Sequence, residues 1–165
     1  MRLVVTTLLV LLICALFLPC PHQPLAAAGQ LTVVANETTY KESADWVDRL
    51  KENGVVVNRA RATEVAGYKS EKYVFVIGGV SEPEGIGELI RQLLKPDDVK
   101  WLEEQGNRKM YIRPEAWSPG QTVCIFAGSD RKAALSAVKE NQKTWWTQVT
   151  SWFDLQVDPT AVRGY

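Results

Sequence analysis

Two unbroken apolar runs constrain the fold of this chain more than any other feature of its sequence. Residues 73–77 read Tyr-Val-Phe-Val-Ile, residues 122–127 read Thr-Val-Cys-Ile-Phe-Ala, and a glycine follows each run. A strand with one face in water alternates apolar and polar residues, whereas a continuous run indicates a strand that is buried on both faces. Such strands are typical of a parallel sheet that is covered by helices.

Shorter strand patterns and helix patterns alternate along the rest of the chain. β-Branched and apolar segments predict further strands at residues 31–35, 55–57 and 110–112, and periodicity with capping residues predicts helices at 40–52, 84–94, 96–104 and from about 130 onwards. This alternation predicts one α/β domain with an open three-layer architecture, in which a mostly parallel sheet of about five strands has helices on both faces. The strands at 110–112 and 122–127 could instead pair as an antiparallel hairpin.

The first 28 residues have the pattern of a secretory signal peptide. Arg2 provides a basic start, residues 3–18 are almost wholly apolar, and three alanines end the segment at Ala28. Cleavage after Ala28 predicts an extracytoplasmic protein, whether secreted, periplasmic or on the cell surface. The exported part would then consist of a single domain at 29–153 and a tail at 154–165.

Two other interpretations of this segment stay open. The segment could remain as a membrane anchor, although its apolar run is shorter than the roughly 20 residues that span a bilayer. It could also direct lipid attachment to Cys20, although Pro19 stands where a lipidated cysteine ordinarily follows glycine or alanine. An uncleaved segment is the route by which we would expect the domain to be held at a membrane.

The charge balance argues against nucleic acid as a partner. The chain has 19 basic and 19 acidic residues, and Arg2 is the only charged residue of the predicted signal peptide. The exported part is therefore close to neutral, and it has no stripe of lysine and arginine. Domains that bind nucleic acid need a positive surface to contact the phosphates.

Export would also remove the only histidine and two of the three cysteines. His22, the only histidine, lies in the predicted signal peptide together with Cys14 and Cys20, so Cys124 is the single cysteine of the exported part. We interpret Cys124 as a small buried hydrophobic residue with no base to activate it. Histidine-based metal sites are excluded as well. The sequence therefore predicts a non-catalytic protein that has no metal or cofactor.

Polar loops follow three of the predicted strands. Ligands of open α/β sheets bind outside the carboxyl ends of the strands, so these loops are where we expect a site. A glycine turn before a helix can hold an anion and Arg131 could clamp it, although Ser129 and Asp130 also suit an ordinary helix start, with Ser129 as the N-cap. The candidate ligand-binding residues are Asn36, Glu37, Gly79, Ser81, Glu82, Ser129, Asp130 and Arg131.

An aromatic face is predicted on the C-terminal helix. Trp145, Trp146 and Trp152 recur at helical spacing. Two interpretations are open: these side chains cover the sheet, or they contact a partner or a membrane surface, since tryptophan favours interfaces. Lys143 is the only charged residue between residues 142 and 150, which argues against strong attraction to anionic lipid.

Two segments resemble a known family. Residues 73–83 read Tyr-Val-Phe-Val-Ile-Gly-Gly-Val-Ser-Glu-Pro, and residues 117–138 contain a strand that ends in Ala-Gly-Ser-Asp-Arg and runs into an alanine-rich helix. In their order and separation the two segments are similar to motifs of archaeal-type S-layer and cell-surface α/β domains, and related segments occur in cell-wall-binding repeats. The resemblance covers roughly the second half of the exported part. It implies a surface-associated, non-catalytic module whose partner is an envelope polymer or a surface protein.

These observations support three hypotheses for the function. The first is an exported, non-catalytic module of the cell surface or envelope with a binding or structural role. The second is an extracytoplasmic domain that binds a small ligand with the loops at the carboxyl ends of its strands. The third is a histidine-free hydrolase, in which Ser81 with Glu82 or Ser129 with Asp130 would supply the reactive groups.

Overall fold

A computed structural model describes residues 29–155 as five strands, six α-helices and one short 3-10 turn. The strands are β1 (Gln30–Val34), β2 (Val56–Ala60), β3 (Tyr73–Gly79), β4 (Arg108–Pro114) and β5 (Thr122–Gly128). The helices are α1 (Glu37–Glu42), α2 (Ala44–Glu52), α3 (Ile86–Leu93), α4 (Pro96–Leu102), α5 (Arg131–Glu140) and α6 (Gln142–Phe153). The predicted signal peptide at 1–28 and residues 156–165 of the predicted tail lie outside the described residues. No helix between residues 29 and 155 has the length and apolar character needed to cross a membrane.

The five strands form one sheet in the order β2-β1-β3-β5-β4. The pairs β1–β2, β1–β3 and β3–β5 are parallel, and β4 lies antiparallel to β5 at the edge. The predicted α/β fold with a mostly parallel sheet of five strands is therefore confirmed, including the antiparallel pair that the sequence left open. The two apolar runs form β3 and β5, in which every residue after the first is buried.

The two central strands separate two apolar clusters. Val74 and Val76 of β3 belong to one cluster, together with side chains of α3 and α4. Phe75 and Ile77 belong to the other, together with side chains of α2, α5 and α6. Because successive side chains of a strand point to opposite faces, the two clusters lie on opposite sides of the sheet.

The tryptophans of α6 cover the sheet. Trp145 is 1 % exposed and Trp146 is 5 % exposed. The indole Nε1 of Trp145 donates a hydrogen bond to the Val138 carbonyl at 3.0 Å, so its burial leaves no polar group without a partner. Trp152 is half-buried and stacks on the ring of Tyr73, with 4.5 Å between centroids. The interpretation of Trp145 and Trp146 as an exposed partner surface is wrong, because the face of the sheet that carries Phe75 needs a cover.

Two of the predicted helices are interrupted. Ser43 divides the helix predicted at 40–52 into α1 and α2, and its buried hydroxyl donates to the Thr39 carbonyl at 2.8 Å. Asn141 separates α5 from α6, and its amide donates to the Ala137 carbonyl at 2.8 Å. Serine and asparagine side chains compete with the helix for backbone partners, which makes them suitable break points.

A buried glutamine closes the end of the sheet where β3 and β5 begin. Gln121 is 2 % exposed and immediately precedes β5. Its Nε2 donates to the carbonyls of Lys69 and Glu71, and its Oε1 accepts from the Trp117 amide at 3.1 Å. The loops at this end are therefore held together by buried hydrogen bonds.

Replacing Trp145 with alanine tests the cover that α6 provides. We expect Trp145→Ala to lower the free energy of unfolding by about 3–5 kcal/mol, because a cavity would open against Phe75. Urea denaturation followed by circular dichroism measures the change. Thr144→Ala, an exposed position on the same helix, is the control and should stay within about 0.5 kcal/mol of wild type. Equal stability of Trp145→Ala and the control would contradict the assignment.

Candidate functional site

The strand order creates a switch point between β1 and β3. From β1 the chain runs to β2 on one side, and from β3 it runs through α3, α4 and β4 to β5 on the other. The loops after β1 and β3 therefore diverge, and a crevice opens between them. The loop after β5 lies beside them, because β5 is the other neighbour of β3.

A cavity of about 280 Å³ lies at this position and is lined by residues of all three loops. We name it the switch-point cleft. Its lining residues are Asn36, Thr38, Ser81, Glu82, Pro83, Glu84, Asp130 and Arg131. The sequence predicts five of them, and the other three, Thr38, Pro83 and Glu84, lie within two residues of a predicted one. The structure therefore brings together side chains that are up to 95 positions apart in the sequence.

Glu82 connects the loops that form the cleft. Its Oε2 accepts the Gly79 amide at 2.5 Å, and its Oε1 accepts the Thr39 hydroxyl at 3.3 Å and the Asn36 amide at 3.5 Å. Burial raises the pKa of Glu82, and these three donors together with the charge of Arg131 oppose that shift. Glu82 is thus a partly buried acceptor that holds the β1 and β3 loops in one arrangement.

Asn36 departs from the usual behaviour of a residue at a helix start. It occupies the N-cap position of α1, yet its side chain makes no capping hydrogen bond. Its Nδ2 instead donates to Glu82 and to the Pro83 carbonyl at 3.3 Å. The side chain therefore links β1 to the loop after β3 across the switch point.

The loop after β5 is fixed by its own hydrogen bonds. Asp130 Oδ1 accepts the Ala133 amide at 2.9 Å, so the N-cap of α5 is Asp130 and the prediction that Ser129 caps this helix is wrong by one residue. The reason is the close approach to β3, where the Ser81 hydroxyl donates to the Ser129 carbonyl at 2.6 Å. Arg131 forms an ion pair with Glu42 of α1, with 3.4 Å between Nε and Oε2.

Three of the predicted site residues do not line the cleft. The carboxylate of Glu37 contacts Arg59 at 2.5 Å and Lys41 at 3.4 Å, and the bond with Arg59 lowers the pKa of Glu37. Ser129 is buried, and its Oγ accepts the Gly106 amide at 3.0 Å. Gly79 supplies backbone rather than side chain. All three residues are close in sequence to residues that line the cleft. Contacts with Arg59 and Gly106 hold the side chains of Glu37 and Ser129 elsewhere.

The hydrogen bonds of Ser81 and Ser129 limit the chemistry that these two serines can perform. The hydroxyls of Ser81 and Ser129 are both engaged with backbone groups, a carbonyl for Ser81 and an amide for Ser129. Neither hydroxyl is bonded to a carboxylate or an amine that could take its proton. Burial raises the pKa of Cys124 to about 12, which keeps this thiol protonated at neutral pH. Within residues 29–155, no group of three His, Cys, Asp or Glu side chains is placed to hold a metal ion.

The backbones of two loops meet at Gly79. A Cβ atom at this position would lie 2.4 Å from the Asp130 Cα, and the contacting atoms belong to backbone that cannot rotate away. We expect Gly79→Ala to lower the free energy of unfolding by about 1–3 kcal/mol, since the loops after β3 and β5 must move apart. Gly67→Ala, whose new Cβ would lie 3.8 Å from its nearest neighbour, is the control. Urea denaturation of both variants checks the prediction, which fails if both have the same stability.

The raised pKa of Glu82 predicts a pH dependence of stability. The folded state binds the proton of Glu82 more tightly than the unfolded state does, so this residue favours folding at acid pH. That contribution disappears as the pH rises from the ordinary glutamate pKa through the pKa of the folded state. We expect the free energy of unfolding of wild type to fall relative to that of Glu82→Gln over this interval. A difference that stays constant or increases with pH would contradict the assignment, and Glu52→Gln, an exposed position outside the cleft, is the control.

Comparisons with known proteins give no indication of a family or a function for this chain. The chain matches no protein-family model, and neither the curated proteins nor the solved structures contain a significant match to it. The resemblance to archaeal-type S-layer domains therefore stays a prediction from two sequence segments. The fold and the arrangement of the cleft follow from the strand order and from the residues that line the cavity.

Proposed function

We propose that this chain is an exported, non-catalytic binding module of the cell surface or envelope, and that it binds its ligand in the switch-point cleft. One observation carries the proposal: side chains from three separate loops converge on a cavity at the carboxyl ends of the strands. Open α/β sheets bind their ligands at this position. The pattern of a signal peptide at residues 1–28 supports the extracytoplasmic location.

The side chains of the cleft favour a ligand that donates hydrogen bonds. Carboxylates of Glu82, Glu84 and Asp130 line it, and the Asp130 cap uses only one oxygen. The one cation among the lining residues, Arg131, is already paired with Glu42. A ligand rich in hydroxyl groups satisfies carboxylate and amide acceptors without adding negative charge.

The size of the cleft limits the ligand further. About 280 Å³ is below the range of roughly 300–1,000 Å³ that is typical of drug-sized ligands. A single saccharide ring fits this volume and supplies the hydroxyl donors. We therefore propose a saccharide unit of an envelope polymer as the ligand, which agrees with the partner that the sequence resemblance implies.

The bonding of the serines supports binding without turnover. A serine nucleophile needs a neighbouring base, and the hydroxyls of Ser81 and Ser129 are bonded to backbone groups instead. The alternative of a histidine-free hydrolase requires a rearrangement that would free one of these hydroxyls.

Binding experiments with cleft variants test this proposal. Residues 1–165 are expressed. The protein is mixed with sedimented envelope polysaccharide and, separately, with free monosaccharides. Binding is measured by co-sedimentation for the polysaccharide and by calorimetry for the monosaccharides. We expect Glu84→Gln and Glu84→Ala to weaken binding by about tenfold, because each removes the charged acceptor that Glu84 contributes to the cleft. The control variant, Glu52→Gln, changes an exposed glutamate outside the cleft and should bind like wild type.

The outcomes separate the hypotheses. Binding to the polymer but not to free sugars supports a surface module, and binding to free monosaccharides supports a small-ligand domain with the same cleft. Absence of binding to both, or binding that the cleft variants leave unchanged, contradicts the proposal. Release of new reducing ends from the polysaccharide contradicts the non-catalytic part.

A further inference from the structure

Strand β4 forms an open edge of the sheet. In the part of the chain that the structure describes, β4 pairs only with β5, so its other side is unpaired. Five of its seven residues are exposed, and Ile112 is 43 % exposed. Unpaired strand edges present backbone donors and acceptors to other chains.

The register shows which backbone groups point outward. The Ser129 amide donates to the Asn107 carbonyl at 2.9 Å, and the Glu115 amide donates to the Gln121 carbonyl at 2.7 Å. Hydrogen-bonded pairs alternate along an antiparallel ladder, so the odd-numbered residues of β4 bond to β5. The outward groups are therefore the amides of Arg108, Met110 and Ile112, and the carbonyls of the same residues and of Pro114.

The other edge strand, β2, has fewer backbone groups that point outward. The Val56 amide donates to the Gly29 carbonyl at 3.1 Å, and the Ala60 carbonyl accepts the Ala35 amide at 3.2 Å. Because outward and inward residues alternate, only Val57 and Arg59 of β2 direct their backbone groups outward. β4 is therefore the edge with the longer run of backbone groups that point outward.

Two of the three cations of β4 have partners among the described residues. Arg108 bonds to the Glu140 carboxylate at 2.5 Å, which raises the pKa of Arg108 and lowers that of Glu140. Lys109 lies over the ring of Tyr111, with 5.1 Å between its Nζ and the ring centroid. Charged residues on an edge strand ordinarily limit indiscriminate pairing, so any partner must match their positions.

We propose that two copies of this chain pair through β4, antiparallel and about a two-fold axis at Met110. In this register Met110 lies opposite Met110 of the second copy, and Arg108 lies opposite Ile112. Each of these pairs exchanges two backbone hydrogen bonds, so all outward amides of both strands find a carbonyl. Lys109 lies opposite Tyr111 of the second copy, which repeats between chains the cation–ring contact that exists within one chain.

The positions of the cations favour this register over the two registers in which the axis is shifted by one residue. A two-fold axis shifted by one residue toward the start of β4 places Lys109 opposite Lys109 of the second copy. A shift by one residue in the other direction places Lys109 opposite Arg113. Like charges directly opposite each other destabilise a strand pair. In the register centred on Met110, Arg108 lies opposite Ile112 and Lys109 lies opposite Tyr111, so no two cations of residues 108–112 lie directly opposite each other.

Mutation at the two edges tests the proposal. Residues 1–165 are expressed, and the mass of the protein in solution is measured by sedimentation over a range of concentrations. We expect a monomer–dimer equilibrium. Ile112→Lys, which places a lysine opposite Arg108, should raise the dissociation constant of the dimer by about tenfold or more. Val56→Lys is the matched control, because Val56 is also an exposed apolar residue, 49 % exposed, on the opposite edge. A monomer at every concentration, or an equal effect of both variants, overturns the proposal.

A cysteine scan tests the register independently of affinity. In the proposed pair the two Cα atoms at position 110 are about 5.5 Å apart, within the range of roughly 4.4–6.8 Å that a disulfide spans. Oxidation of Met110→Cys should give a covalent dimer that wild type does not form. Ile112→Cys is the control, since its two copies lie roughly 14 Å apart along the strands. Crosslinking of Ile112→Cys but not of Met110→Cys overturns the register.

Discussion

Burial of β3 and β5 on both faces is the constraint on which the rest of the structure depends. Two neighbouring strands that expose no polar face require apolar cover on each side, and Phe75 and Val76 belong to two different clusters for this reason. The cover on one side comes from α3 and α4, and on the other from α2, α5 and α6. The buried tryptophans of α6 supply part of this cover, and the ring of Trp145 lies 6.0 Å from that of Phe75, centroid to centroid.

The same constraint places the switch-point cleft. Central strands that run parallel need crossovers, and crossovers that leave β1 and β3 in opposite directions open a crevice between the loops. On the other side of β3, backbone meets backbone where β3 and β5 end, at Gly79 against Asp130. Glu82 then ties the β1 loop to the β3 loop with hydrogen bonds to Gly79, Thr39 and Asn36. The loop ends that form the cleft are thus held together by hydrogen bonds.

The proposed pairing of two copies through β4 lies away from the cleft. The loop after β5 is the nearest common feature, because Ser129 bonds to Asn107 just before β4 begins. A pair joined at this edge would extend the sheet from five strands to twice that number. Two clefts on one continuous sheet would suit a polymer that presents repeated saccharide units, because linked sites bind a repeating ligand more tightly than single ones.

The sequence by itself determined the fold class and the edge of the sheet where polar side chains gather, because burial on two faces and the alternation of strands with helices follow from local patterns. It did not determine which of the polar residues share a cavity. Glu37 turns to Arg59, Asp130 rather than Ser129 caps α5, and Trp145 lies beneath the surface. Only the tertiary structure decided these points, since Glu37 pairs with Arg59, Ser129 bonds to Ser81 and Gly106, and Trp145 packs on Phe75. These partners are distant in sequence and become adjacent when the strands pair.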